Sequence, residues 1–154
     1  MKFSTREDIE APIEHVFARI TEFTTFERSA MRRGLDIART EGAAGNIVGT
    51  EWRINFQYRG KPRGAEIRIC DCEKPNKIAA TFTSGGVEGE SVVELVPLSP
   101  SRTRVAVGVE MKPTTLTARL FIQSLRLAKT NLQRKFKTRI ADYAESIEEN
   151  YRRP

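Results

Sequence analysis

Three charged side chains fall where the surrounding pattern calls for an apolar one: Lys129, Glu7 and Asp71. At 100° per residue, Lys129 sits inside the apolar stripe that Leu125 and Leu132 define on a helical stretch. An ammonium there either snorkels to the edge on its own stem or offers a cation to an anionic or carbonyl-bearing group inside. Glu7 lies between Thr5 and Ile9 on the dry face of an alternating segment, and Asp71 follows Ile67 and Ile69 in the same way. A carboxyl so placed is either a polar group in a cavity or a general acid–base. Strand ends also tolerate such residues with no chemistry attached.

Other chemistries find little support. His15 is the single histidine, next to Val16 and Phe17. Without a paired cysteine nucleophile or a Gly-x-Ser-x-Gly elbow it has no triad to join. Cys70 and Cys72 flank Asp71; on one strand they share a face about 7 Å apart, too far for a relaxed disulfide. A lone Cys-x-Cys and one histidine do not make a structural metal set, so neither metal nor cofactor is expected. Gly42, Gly45, Gly49, Gly60 and Gly64 follow the needs of turns and match no phosphate-binding fingerprint.

A second feature lies on the outside of the same helical stretch. Leu116, Leu120 and Leu127 point roughly opposite the main stripe. Between Glu110 and Asp142 there is no acidic residue but eight basic ones: Lys112, Arg119, Arg126, Lys129, Arg134, Lys135, Lys137 and Arg139. This local excess is larger than the net charge of +6 carried by the whole chain. Arg119 even stands near the helix N-terminus, where the dipole favours anions. An apolar strip flanked by Arg119 and Arg126 suits an anionic membrane surface or a protein partner. It equally suits a dimer contact, or a solvated basic face with a few exposed leucines. Nucleic acid is disfavoured, because aromatics do not interleave with the basic positions and no recognised binding motif is present.

The elements that must position these residues form one domain spanning residues 1–154, with no repeat, linker or low-complexity tract. With 39% hydrophobic and 30% charged residues the composition is that of a folded, water-soluble chain. No run approaches the ~18 apolar residues of a spanning helix, and the N-terminus lacks the apolar core of a secretory signal. The expected compartment is the cytoplasm.

Residues 2–9 alternate as a half-buried strand. Pro12 suits the first turn of a helix carrying Ile13, Val16, Phe17 and Ile20, and Phe23 and Phe26 continue into a second short helix to Ala30. Strands are expected at 35–40, 49–58, 64–72, 77–83, 89–96 and 102–110. The breaks between them fall at Gly42-Ala43-Ala44-Gly45, Arg59-Gly60-Lys61-Pro62, Lys74-Pro75-Asn76, Ser84-Gly85-Gly86 and 97–101. Such short connections imply antiparallel hairpins. Trp52, Ile54, Phe56 and Tyr58 share the dry face of one strand; Glu51, Arg53, Asn55 and Gln57 share the solvent face. After Pro113 the period becomes 3.6, with Thr114 or Thr115 as cap and a stripe of Phe121, Leu125, Ala128, Leu132, Phe136, Ile140, Tyr143 and Ile147. The spacing predicts one helix of about 50 Å lying across most of the sheet.

Ile9-Glu10-Ala11-Pro12-Ile13-Glu14-His15-Val16-Phe17 resembles the opening of the helix-grip (SRPBCC) superfamily, which includes START lipid-transfer domains, the birch-pollen allergen and polyketide cyclase/dehydrases. Gly49-Thr50-Glu51-Trp52, the Lys74-Pro75 turn and Thr103-Arg104-Val105 extend the resemblance over essentially the whole chain. These motifs mark a fold rather than an activity. The resemblance implies an α+β helix-grip fold: a curved antiparallel sheet of about seven strands around a long C-terminal helix, with two short helices after the first strand. It also implies a cavity for a lipid, sterol, quinone, hormone or polyketide. The lining would come from Trp52, Ile54, Phe56, Ile67, Ile69, Phe82, Phe121, Leu125 and Leu132, with Lys129 meeting the polar end. The same residues can instead simply fill a core. The leading expectation is a carrier for a hydrophobic small molecule. Its rivals are a cyclase/dehydrase-type enzyme using Glu7 or Asp71, and an interaction module acting through the outer helix face.

Overall fold

In the computed structural model, which describes residues 1–42 and 46–153, the N-terminal alternation becomes strand β1 (Lys2–Ile9), with Phe3, Thr5 and Ile9 buried. Of the expected Gly42–Gly45 turn, residues 43–45 lie outside the described residues. Pro12 stands at the N-cap of α1 (Ile13–Ile20), which buries Ile13, Val16 and Phe17. Helix α2 (Phe23–Arg32) runs two residues beyond Ala30.

Six further strands follow: β2 (Asp36–Glu41), β3 (Glu51–Tyr58), β4 (Lys61–Glu73), β5 (Lys77–Ser84), β6 (Val87–Ser99) and β7 (Arg102–Pro113). They form a curved seven-stranded antiparallel sheet in the order β1-β7-β6-β5-β4-β3-β2. The first and last strands in sequence thus pair directly, from Lys2 opposite Glu110 to Ile9 opposite Thr103. Strands β4 and β6 begin earlier than expected because Gly64 and Gly89 are interior strand positions, not breaks. The true turns are Arg59-Gly60 and Gly85-Gly86, each with two consecutive positive φ angles (52° and 74°; 52° and 82°). That geometry belongs to two-residue hairpins whose twist matches the strands they join.

Two expectations are corrected. The pairing of β4 with β5 slips between Ile69 and Asp71: Ile69 opposes Ala80, and Asp71 already opposes Ala79. The extra residue, Cys70, is a β-bulge and reverses the phase of everything after it. Cys72 therefore opposes Ile78 and packs on the core, while Asp71 turns outward, 3.3 Å from the Lys77 ammonium.

The single C-terminal helix is in fact two, α3 (Leu116–Arg126) and α4 (Lys129–Arg152). No proline or glycine marks the break at Leu127-Ala128. The two segments serve different surfaces. Thr115 caps α3, accepting from the Ala118 N–H at 3.0 Å, and α3 buries Ala118, Ile122 and Leu125 against the β7 end. Helix α4 lies along β1 instead of across the sheet. Its Phe136 ring is 6.1 Å from Phe3, Gln133 Nε2 donates to the Ser4 carbonyl at 2.8 Å, and the Glu10 N–H donates to Glu148 at 2.8 Å. A straight helix cannot seat both faces on a curved sheet, so packing overrides local propensity at the junction.

The buried side chains gather in three clusters. One joins Ile9, Val16, Phe17, Leu95, Val105, Ala144 and Ile147 where α1 and the end of α4 meet the sheet. A second joins Ala30, Ile37, Trp52, Ile54 and Ile69 under α2. The third joins Val87, Ala118 and Ile122 under α3.

Candidate ligand-binding groove

Pairing registers fix which residues face inward. Trp52 opposes Ile67, Ile54 opposes Ala65 and Phe56 opposes Arg63; Ile67 opposes Phe82 and Ile69 opposes Ala80. Phe82 in turn opposes Gly89, and Ala80 opposes Ser91; Ser91 opposes Val109 and Gly89 opposes Met111. The middle of the inner face thus combines small residues (Ala65, Ala80, Gly89, Ser91) with apolar ones (Phe56, Ile67, Phe82, Val109, Met111). A Cβ at Gly89 would lie 2.1 Å from Phe82 Cζ, so the ring rests on the glycine backbone. Counting outward from the Gly85-Gly86 turn would have revealed this pair in the sequence.

In a filled core the central residues are the most buried ones. Here most of the buried apolar residues stand in the three clusters, with Phe3 and Leu125 buried outside them, whereas Phe56, Ile67, Phe82, Ser91, Val109, Leu132 and Phe136 are only half-buried. That inner face, with α2 beside β2, α3 beside β7 and α4 beside β1, is the candidate site. Open furrows exist on the outer face. One of about 660 Å³ is bordered by Lys2, Arg6, Glu90, Glu94 and Glu110, whose charges do not suit an apolar guest.

The expected lining residues divide accordingly. Phe56, Ile67 and Phe82 lie on the inner face by their strand register, and Leu132 is half-buried on α4. Phe121 and Leu125 close the α3 end. Trp52, Ile54 and Ile69 belong to the wall beneath α2. Trp52, 4% exposed, is held edge-on by Phe23 (5.0 Å) and Phe26 (5.5 Å). Its indole N–H donates to Glu27 at 2.8 Å, and Arg39 donates to the same oxygen at 2.8 Å. Burial pushes the Glu27 carboxyl up, but these two bonds outweigh it and leave the pKa below its ordinary value.

Lys129 is exposed at the start of α4. The helix break shifts the phase on which its inward placement rested, so it is not a cation enclosed among the stripe residues. Ala128 is exposed for the same reason, while Ala144 replaces Tyr143 as the buried residue of the last turns. Of the two acids, Asp71 faces out, and Glu7 alone stands on the inner face, half-buried opposite Val105. The Cys72 thiol is pushed up by burial and by the Asp71 charge, which suits an inert packing residue. His15 rests against the Tyr151 ring at 4.9 Å, with Nε2 buried and unpaired among the described residues. No group of three potential metal-ligating side chains occurs among the described residues.

A cluster that the sequence reading missed lies beside Phe56 at the hairpin end of the inner face. Tyr58 and Phe121 meet edge to face at 5.9 Å, joining the β3–β4 hairpin to α3. Arg63 stands 5.0 Å from the Phe121 centroid and 5.5 Å from that of Tyr58. Arg59 stands 5.8 Å and 5.4 Å from the same two rings, and its Nη1 donates to Ser124 at 2.9 Å. Counting from Gly60 places Arg63 opposite Phe56, but only the tertiary fold brings Phe121 to it.

On the outside of α3, Leu116, Leu120 and Leu127 are 73%, 59% and 92% exposed, as their spacing implied. No described helix is long and apolar enough to cross a membrane.

No protein-family model matches the chain, and no curated protein matches it by sequence. Several solved structures share its fold. The protein TTHA0849 from Thermus thermophilus is 18% identical, with 97% of this chain and 95% of that one covered, at a TM-score of 0.63. The Zhui aromatase/cyclase from Streptomyces sp. R1128 is 13% identical, with 75% and 69% covered, at 0.58. A START superfamily protein from Mycobacterium smegmatis is 12% identical, with 87% and 95% covered, at 0.55. The chain shares its helix-grip fold with these neighbours.

Proposed function

We propose that this helix-grip chain binds and carries a hydrophobic small molecule, such as a lipid, quinone or polyketide-like compound, in the groove between the sheet and helices α2, α3 and α4. The observation that carries the reading is the half-burial of Phe56, Ile67, Phe82, Val109, Leu132 and Phe136 between three marginal core clusters. Apolar side chains left part-wet at the centre of a fold gain free energy from an apolar guest, about 25 cal/mol per Å² covered. The names of two neighbours in fold, an aromatase/cyclase and a START superfamily protein, agree with such a guest.

Binding is favoured over catalysis because Glu7 is the one acid of the two candidates on the inner face, and no hydrogen-bonded partner accompanies it among the described residues. Arg119 and Arg126 with the exposed Leu116, Leu120 and Leu127 form the docking face for an anionic membrane, from which such a ligand is collected or to which it is delivered. Each basic residue near such a surface contributes about 1 kcal/mol, so R119E/R126E should lower binding to phosphatidylserine vesicles by well over tenfold. A cytoplasmic, reducing setting suits the two free cysteines.

The primary test is native mass spectrometry of the freshly purified protein, followed by organic extraction, with a titration of apolar ligands read by Trp52 fluorescence. A stoichiometric extracted lipid or quinone, or saturable binding, supports carriage. A bare mass with no saturable binding refutes it and leaves the outer helix face as the working surface.

A further inference from the structure

Arg59 and Arg63 are two like charges brought to one pair of aromatic rings at the mouth of the groove. Neither has a carboxylate within ion-pair distance among the described residues, although most other arginines of the sheet do. Arg53 pairs with Glu66, Arg68 with Glu51, Arg39 with Glu27, and Arg102 and Arg104 with Asp8. Like Arg6 on β1, these two are left without a carboxylate among the described residues, but unlike it they lie over aromatic rings.

Their placement is specific. Arg63 is half-buried and emerges on the inner face directly opposite Phe56, a groove residue. Its Nε reaches the Tyr58 carbonyl at 3.4 Å, which orients the side chain and leaves its remaining donors open. Arg59 is fixed from the other side by Ser124 on α3. Lys61, opposite Tyr58, adds a third cation to the same hairpin. Contact with the Tyr58 and Phe121 rings holds both guanidinium groups, and the N–H groups not used on Ser124 and the Tyr58 carbonyl remain open to an oxyanion.

From this juxtaposition we infer that Arg59 and Arg63 form the head-group subsite of the groove, and that the ligand is an amphiphile whose apolar body lies over Phe56, Ile67 and Phe82 and whose carboxylate or phosphate end meets the two guanidinium groups. This rests on the groove being a ligand site. It replaces Lys129, now exposed, as the cation that meets the polar end.

The test compares dodecanoate, dodecyl phosphate, dodecanol and inorganic phosphate by isothermal titration against wild type, R63M and R59M, with thermal melts to certify folding. A charge-assisted oxyanion bond at a partly exposed site corresponds to about a tenfold change in affinity. Dodecanoate and dodecyl phosphate should therefore bind about tenfold more tightly than dodecanol, and R63M should abolish most of that preference. R59M, at an exposed position, should reduce the preference while the protein still melts as a folded domain. Equal binding of the alcohol and the two anions by wild type overturns the head-group subsite alone. Inorganic phosphate binding as tightly as dodecyl phosphate overturns the amphiphile and leaves a free-anion site. No binding by any of the chain-bearing probes overturns the carrier reading together with this one.

Discussion

Removing the Glu27 carboxylate is expected to loosen the α2 wall of the groove by an amount the structure sets. One oxygen accepts both the Trp52 indole N–H and the Arg39 guanidinium at 2.8 Å. In Glu27→Ala the indole N–H of a 4%-exposed residue loses its acceptor, which costs about 1–3 kcal/mol. The Arg39 bond lies nearer the surface and adds less than about 1 kcal/mol. The expected loss is thus about 1–4 kcal/mol, and about 1 kcal/mol for Glu27→Gln, whose amide oxygen still accepts. Urea unfolding read by fluorescence suits the question because Trp52 is the only tryptophan. With a slope of ~1–3 kcal/mol per molar, the midpoint of E27A should fall by about 1 M. Acid sharpens the comparison. The Glu27 pKa lies below the ordinary 4.5 in the folded state, so its contribution is complete above that value and is lost as the pH falls through the folded one. Asp8, held down chiefly by its bond from Arg104, weakens in the same window, but does so in every variant and cancels. Wild type should therefore lose more stability than E27Q between about pH 5 and pH 3. A loss below about 0.5 kcal/mol in E27A, or parallel acid curves for wild type and E27Q, would refute the anchoring role of Glu27.

Gly89→Ala puts a methyl into the Phe82 ring. Moving that ring should cost about 1–3 kcal/mol and change apolar-ligand affinity several-fold, both measurable by melting and titration. Wild-type stability and affinity would show that Phe82 does not rest there. Glu7→Gln separates carriage from catalysis: ligand affinity should stay within about twofold of wild type, since no bond to Glu7 is lost. Preserved binding accompanied by loss of a measured turnover would move the assignment to the enzyme reading.

The strand order and inner face were legible because alternation is strong where one face is covered. Trp52, Ile54 and Phe56 face inward as their spacing says, and the Arg59-Gly60 and Gly85-Gly86 turns carry the backbone signature glycine permits. Three features were not legible, each for a physical reason. The bulge at Cys70 has no marker residue, so the phase reversal that sends Asp71 outward is visible only in the pairing with β5. The break at Leu127-Ala128 is imposed by what α3 and α4 pack against, and Lys129 leaves the stripe with it. The Arg59, Arg63, Tyr58 and Phe121 cluster unites a hairpin with a helix distant in sequence, a contact that periodicity cannot encode.

On the proposed reading, the bend between α3 and α4 also makes room for the guest. A continuous helix laid across the sheet would cover Phe82, Val109 and Ser91 directly and leave no room. Instead α4 follows β1, α3 packs at the β7 end, and the middle of the inner face carries the small residues Ala65, Ala80, Gly89 and Ser91. Each ~100 Å² of apolar surface left wet there forgoes about 2.5 kcal/mol, a large share of the margin by which a domain of this size is stable. A guest that covers this surface should therefore stabilise the fold, and so should a side chain grown into the same space. Ala80→Leu is the discriminating change, because Ala80 stands on the floor between Ile69 and Ser91. Over an open centre the longer side chain should bury itself, add about 1 kcal/mol and raise the melting temperature by about 3 °C. It should also displace part of the guest and weaken dodecanol binding several-fold. In a centre already packed, the added atoms would meet neighbours at ordinary contact and cost about 1–3 kcal/mol. A lower melting temperature with unchanged dodecanol affinity would thus remove both the groove and the reason for the bend.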